Sequence, residues 1–90
     1  MPVLTNVVAL GTTATEIIGS DNMPQDVLIH NNSTGDAIVY LGEDDTVTSS
    51  TGTVLVAEER IAMELMPGDA LFAIGSTADI DLRILQIQKN

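Results

Sequence analysis

Clusters of turn-forming residues interrupt this sequence at intervals of about ten residues and leave room only for short elements between them. Glycine in such clusters adopts the positive φ that other residues avoid, and Asn, Asp and Ser side chains hydrogen-bond to neighbouring backbone groups. Turns repeated at this spacing are typical of β-sandwiches and β-barrels. The clusters lie at residues 11–13, 19–22, 31–35, 42–45, 49–52, 67–69 and 75–77.

The runs between these turns are rich in β-branched and aliphatic residues and predict short strands. They cover residues 3–10, 14–18, 26–30, 37–41, 46–48, 53–56, 60–66, 70–74 and 80–87. Residues 56–66 are the only passable helix, but the turn at 67–69 follows at hairpin distance, so two strands around a turn at 57–58 are the better interpretation. We therefore predict one domain over residues 1–90 with an all-β fold: a single antiparallel, jelly-roll-like β-sandwich of about seven to nine strands.

Hydrophobic and polar residues alternate in the predicted strand 60–66, as in a strand that is buried on one face. Ile61, Met63 and Leu65 share one parity, whereas Arg60 and Glu64 share the other. We expect the three apolar residues to face the core and the two charged residues to face solvent.

The last predicted strand alternates in the same way but then changes phase. Ile80, Leu82 and Ile84 occupy one parity, and the next apolar residues, Leu85 and Ile87, occupy the other. A β-bulge would reset the alternation in this way. The other interpretation is that this end of the strand is covered on both faces, the second by a neighbouring subunit.

The charge of the chain excludes several classes of partner. The sequence contains 13 acidic and three basic residues, Arg60, Arg83 and Lys89, for a net charge of −10. Nucleic-acid binding needs many Lys and Arg side chains, and an anionic membrane surface repels such a chain. No apolar run approaches the roughly 20 residues of a membrane helix, and residues 1–6 lack the basic start of a signal peptide. We expect no nucleic acid or membrane partner, and synthesis in a cytoplasm.

The core of this chain has to be small and aliphatic. The sequence has no cysteine and only two aromatic residues, Tyr40 and Phe72, so neither disulfides nor large aromatic side chains can contribute much stability. Association between copies is another source of stability, and the first predicted strand is apolar on both faces. One parity carries Val3, Val7 and Ala9, and the other Leu4, Val8 and Leu10. We predict a homo-oligomer, a trimer.

No combination of residues indicates catalysis. His30 is the only histidine, and no serine lies in a Gly-x-Ser-x-Gly nucleophile elbow. The glycines are scattered and precede no helix, so no phosphate-binding loop is predicted. The acidic loop Glu43-Asp44-Asp45 lacks the ligand spacing of a calcium loop, so a solvated turn is favoured over a weak cation site. We predict no enzymatic activity, no cofactor and no metal, with His30 a strand-end residue.

The order of four segments resembles that of small β-sandwich virion proteins of tailed bacteriophages. The segments are VLIHNN at 27–32, AIVYLG at 37–42, PGDALFAI at 67–74 and ADIDLRIL at 78–85. The resemblance covers residues 25–87 and implies a capsid decoration (cement) protein, located on the capsid exterior, whose partner is the major capsid protein. A tail or fibre adaptor with the same fold is the alternative, although no fibrous region is attached in this sequence. A carbohydrate-binding module is a weaker alternative because two aromatic residues offer little stacking surface.

The N-terminal segment is the predicted partner-binding region, since it is apolar and chain termini stay disordered unless they are held in place. The predicted contact residues are Pro2, Val3, Leu4, Val7, Val8 and Leu10.

Overall fold

The computed structural model describes residues 3–88, which form eight β-strands and no helix. The all-β prediction is therefore confirmed: two of the predicted strands match at both ends, and six others shift by no more than one residue at either end. The strands are β1 Val3–Leu10, β2 Thr15–Ile18, β3 Gln25–Asn31, β4 Ile38–Gly42, β5 Thr53–Val56, β6 Arg60–Leu65, β7 Leu71–Gly75 and β8 Ile80–Gln88.

The eight strands form two antiparallel sheets of four. The order in the first, sheet I, is β1-β8-β3-β6, and the order in the second, sheet II, is β2-β7-β4-β5. The chain passes repeatedly from one sheet to the other, and only β4 and β5 are consecutive neighbours within a sheet. This strand order is that of a jelly roll, in which two Greek keys close a double sheet, as the sequence predicted.

The core lies between the two sheets and is purely aliphatic. β3 shows the strict alternation of a strand that is buried on one face, and β6 and β8 turn their predicted apolar parity inward. The buried cluster consists of Leu10, Ile17, Ile18, Val27, Ile29, Ala37, Val39, Leu41, Leu55, Leu65, Leu71, Ala73, Ile80, Leu82 and Ile84. Ile61 and Met63 pack against it without being fully buried.

A fully buried asparagine at the end of β3 connects the two sheets. The Asn31 side-chain amide donates one hydrogen to the carbonyl oxygen of Ala37, directly before β4, at 3.2 Å and the other to that of Leu55 in β5 at 3.1 Å. The Asn31 side-chain oxygen accepts a hydrogen bond from the backbone N–H of Ser33, and the Asn31 backbone N–H donates one to the backbone carbonyl oxygen of Glu59. Because a buried polar group is costly unless it is paired, this arrangement fixes how the sheets join.

The change of phase in β8 is not a bulge. β8 keeps an unbroken register with β1 on one side and with β3 on the other. The bulge interpretation is therefore wrong, and Leu85 and Ile87 point to the face of sheet I that is opposite the core. A register shift does occur in β2, between Glu16 and Ile18.

The predicted short strand at 46–48 is also wrong, because these residues form part of a turn-rich loop. Val47 in this loop is buried outside the main core cluster. A Cβ at Gly42 would lie 2.5 Å from the Val47 Cβ, and one at Gly52 would lie 2.6 Å from the Tyr40 Cβ. The loop therefore packs against the outer side of β4, and the two glycines make room for it.

Replacing Asn31 by Asp should destabilise the fold by about 3–5 kcal/mol at neutral pH, because the new carboxylate would face two carbonyl oxygens in a site without solvent. Urea denaturation measures the change. The deficit should shrink on acidification, since burial raises the pKa of the introduced carboxyl and protonation restores one donor. Asn6→Asp, on the exposed part of β1, is the control and should change stability by less than about 0.5 kcal/mol. Equal effects of the two variants would contradict the proposed role of Asn31.

Gly42→Ala should destabilise the protein by about 1–3 kcal/mol, because the added methyl group has to displace Val47. Gly11→Ala is the matched control, since a Cβ there meets no atom within 4 Å and should be close to neutral. Thermal or urea unfolding of the two variants checks this, and a neutral Gly42→Ala would show that the loop does not pack closely on β4.

Candidate functional site

The predicted partner-binding segment lies on β1, which is one edge of sheet I and, among the strands of residues 3–88, pairs only with β8. Val3, Leu4 and Val7 are 59%, 53% and 61% exposed. Pro2, also predicted to contact a partner, lies outside the described residues. Because β1 is an edge strand, alternate N–H and C=O groups point away from β8 and could pair with a further strand. The backbone N–H of Val7 donates to the Asn6 side-chain oxygen at 3.0 Å, which a partner strand would have to displace.

Two of the predicted contact residues have a different environment. Leu10 is fully buried in the core, and Val8 is partly buried and packs against the core cluster. The cause is the position of β1, whose C-terminal end is covered by the core while its N-terminal end extends beyond it. The exposed part of the predicted surface is therefore limited to Val3, Leu4 and Val7, which we call the β1 edge.

The outer face of sheet I is a second uncovered surface, of which the sequence indicates only the part formed by Leu85 and Ile87. The strand register places four side chains in a row across its middle: Thr5, Leu85, Leu28 and Ala62. Leu85 and Leu28 are only half-buried in the single chain. Grooves on either side of this row are lined mainly by apolar surface. This face therefore presents a solvent-exposed apolar centre.

A basic row lies on one side of this centre. The register places Val7 beside Arg83, Arg83 beside His30, and His30 beside Arg60. Two of the three basic residues of the chain and its only histidine thus lie together. His30 is the penultimate residue of β3 and is half-buried. The signal in the sequence is the shared outward parity of these three residues, but parity alone does not give the register that aligns them.

An acidic row lies on the opposite side of the apolar centre. Asp26 is beside Glu64 on β6 and beside Ile87 on β8, which in turn pairs with Val3. The outer face of sheet I is thus ordered along its strands as basic row, apolar centre and acidic row.

The two arginines of the basic row differ in their ionic contacts. The Arg83 guanidinium donates to both carboxylate oxygens of Asp81, at 2.8 and 3.0 Å. This contact, together with a hydrogen bond from Asn32, lowers the pKa of the Asp81 carboxyl below its ordinary value. Arg60 forms no ion pair with any of the described residues 3–88.

The described residues offer no group of three side chains that could hold a metal ion. In the acidic loop, Asp44 accepts hydrogen bonds from the hydroxyl and backbone N–H of Thr46, and these bonds lower the pKa of its carboxyl. His30 has two arginines as its cross-strand neighbours, so the register places no carboxylate or hydroxyl directly beside it. No helix in the range 3–88 is long and apolar enough to cross a membrane.

No family model matches this chain, and no curated protein matches it. Among solved structures, it is similar to a subunit from Bacillus endospore appendages, described as a novel family of disulfide-linked pili, with 9% identity, a TM-score of 0.57, and coverage of 99% of this chain and 87% of the other. At that identity the likeness concerns the fold alone.

Two structures of a pentameric capsid protein isolated from metagenomic phage sequences match with lower TM-scores. Both share 17% identity and cover 96% of this chain, with TM-scores of 0.43 and 0.44. This chain spans only 62% and 59% of their lengths. Similarity at this level does not transfer a function.

Asp81→Asn should lower stability at about pH 7 but have little effect at about pH 2. The pKa of Asp81 is lower in the folded state than its unfolded-state pKa of 3.8. The ionised carboxylate therefore contributes its full stabilisation of the fold above pH 3.8, and this stabilisation is lost as the pH falls through the folded-state pKa. Urea midpoints at the two pH values test this. Asp36→Asn, at an exposed site outside the strands, is the control, and a pH-independent loss in Asp81→Asn would contradict the role of the ion pair.

Proposed function

We propose that this protein is a non-enzymatic structural protein of a tailed-phage virion, a capsid decoration protein that binds the major capsid protein lattice on the capsid exterior. The observation that carries the proposal is the β1 edge: exposed apolar side chains on a strand that pairs with β8 on one side and lies at the edge of its sheet on the other. The resemblance of residues 25–87 to small virion β-sandwiches supplies the phage context.

The β1 edge has the chemistry of a protein contact rather than of a small-molecule site. An edge strand offers backbone hydrogen bonds to a strand of a partner, and apolar side chains on both of its faces add buried area. Leu4 shares the parity of Val8 and Leu10, which contact or belong to the core, yet it is more than half exposed. A partner segment that lies along β1 would bury it.

The chain is strongly acidic, with a net charge of −10. Its acidity keeps it soluble and directs it away from nucleic acid. We propose that it acts as a homo-oligomer, a trimer, on the capsid. Three copies that engage neighbouring equivalent sites gain avidity through effective concentration, so that each β1 edge need contribute only a modest contact.

Leu4→Ser should weaken attachment to assembled capsids of the encoding phage by about tenfold per copy, because it removes apolar area from the contact. Val54→Ser is the matched control: Val54 is 52% exposed, but on the edge of sheet II. Co-sedimentation with capsids that lack the protein measures attachment, and urea unfolding shows that both variants fold.

Attachment should require the assembled lattice, so isolated capsid subunits should bind weakly. Equal attachment of the Leu4 and Val54 variants would contradict the role of the β1 edge. Binding to tails but not to heads would favour the adaptor function instead.

A further inference from the structure

We propose that the outer face of sheet I binds the same face of a second copy of this chain, around a twofold axis that crosses the strands at the row Thr5-Leu85-Leu28-Ala62. This pairwise contact is additional to the trimer proposed on the capsid and does not rest on the proposed function. It shares Val3 and Val7 with the β1 edge but not Leu4. Leu4, the residue tested there, points to the other face of sheet I.

The apolar centre of the face is incompletely buried in a single chain. Leu28 and Leu85 are half-buried side by side, and Ile87 lies next to them in a similar state. Val3 and Val7 at the border of the face are more than half exposed. Two such faces packed together would remove this area from water, as the two inner faces of a β-sandwich do.

The charged rows select the orientation of the second copy. A twofold axis across the strands exchanges the two sides of the face, so Arg60 meets Glu64 of the second copy and His30 meets Asp26 of the second copy. Symmetry produces each of these pairs twice. The apolar centre then lies on that of the second copy.

The other possible axis in the plane of the contact, parallel to the strands, is unfavourable. It would place Arg83 over His30 of the second copy and Arg60 over Val7 of the second copy. Basic groups would then face each other, and acidic groups would likewise face the acidic row of the second copy. Charge complementarity therefore favours one of the two orientations.

The dimensions of a sheet allow these contacts. Outward side chains two residues apart along a strand are about 7 Å apart, and packed sheets lie about 10 Å apart, which long Arg and Glu side chains can span. Four strands form a small face, so the interface falls at the low end of specific contacts. We expect dissociation constants on the order of 10–100 µM, with the acidity of both copies opposing tighter association.

Charge reversal tests this arrangement. Arg60→Glu and Glu64→Arg should each weaken self-association at least about tenfold, because each places like charges at two symmetric positions. An equimolar mixture of the two single variants should associate, since every reversed group then meets an opposite charge. The double variant R60E/E64R should also self-associate. Sedimentation equilibrium from about 1 µM to 1 mM measures the constants.

Glu43→Arg is the control. It makes the same change of charge as Glu64→Arg, but at an exposed residue of the loop that packs on sheet II, and it should not disrupt association. Urea unfolding confirms that each variant folds. A wild-type chain that stays monomeric throughout the range, or single variants that gain nothing on mixing, would overturn the proposal. Neither result depends on attachment to capsids, so the two proposals fail separately.

Discussion

The hydrogen bonds of the Asn31 side chain hold the two sheets of this jelly roll in register with each other. β3 belongs to sheet I, whereas the carbonyl groups of Ala37 and Leu55 belong to the segments that build sheet II. The aliphatic core supplies most of the stabilising area, but hydrophobic contact is not directional. A buried amide with both hydrogens donated is directional, and it sits where the chain leaves one sheet for the other.

The same construction makes the two outer faces unequal. On sheet II, the loop that contains Val47 covers part of β4, and two glycines permit the close approach. On sheet I, no described segment covers the centre of the outer face, and the N-terminal part of β1 forms the exposed β1 edge. Both candidate contact surfaces are therefore on sheet I. One uses the edge of the sheet and the other uses its face, so a single copy can present two different contacts.

The fold was largely predictable because it depends on local signals. Turn residues at regular spacing gave the strands, and alternation in β6 and β8 gave their buried parity. The phase change after Ile84 was visible, but only the continuous register of β8 shows that it is an outward apolar patch. Val47 resembled part of a strand because its sequence neighbours are β-formers, but it packs within its own loop against Gly42 and Gly52, and no alternation of apolar and polar residues records such packing.

The candidate surfaces were predictable only in part for the same reason. Alternation shows that β1 is apolar on both faces, but not that its inward residues divide into a buried Leu10 and an exposed Leu4, because this depends on where sheet II ends. The basic row needs three strands aligned to a single residue. Arg60, His30 and Arg83 are far apart in the sequence, and no local pattern records that their strands are neighbours.

The most direct test of the account is a cryo-electron microscopy map of the intact particle, detailed enough to trace strands. We expect a jelly roll on the capsid exterior, with the β1 edge against the major capsid protein and sheet II turned towards solvent. Density for this chain on the tail alone, or a head-bound jelly roll with β1 facing solvent and sheet II against the capsid, would contradict it.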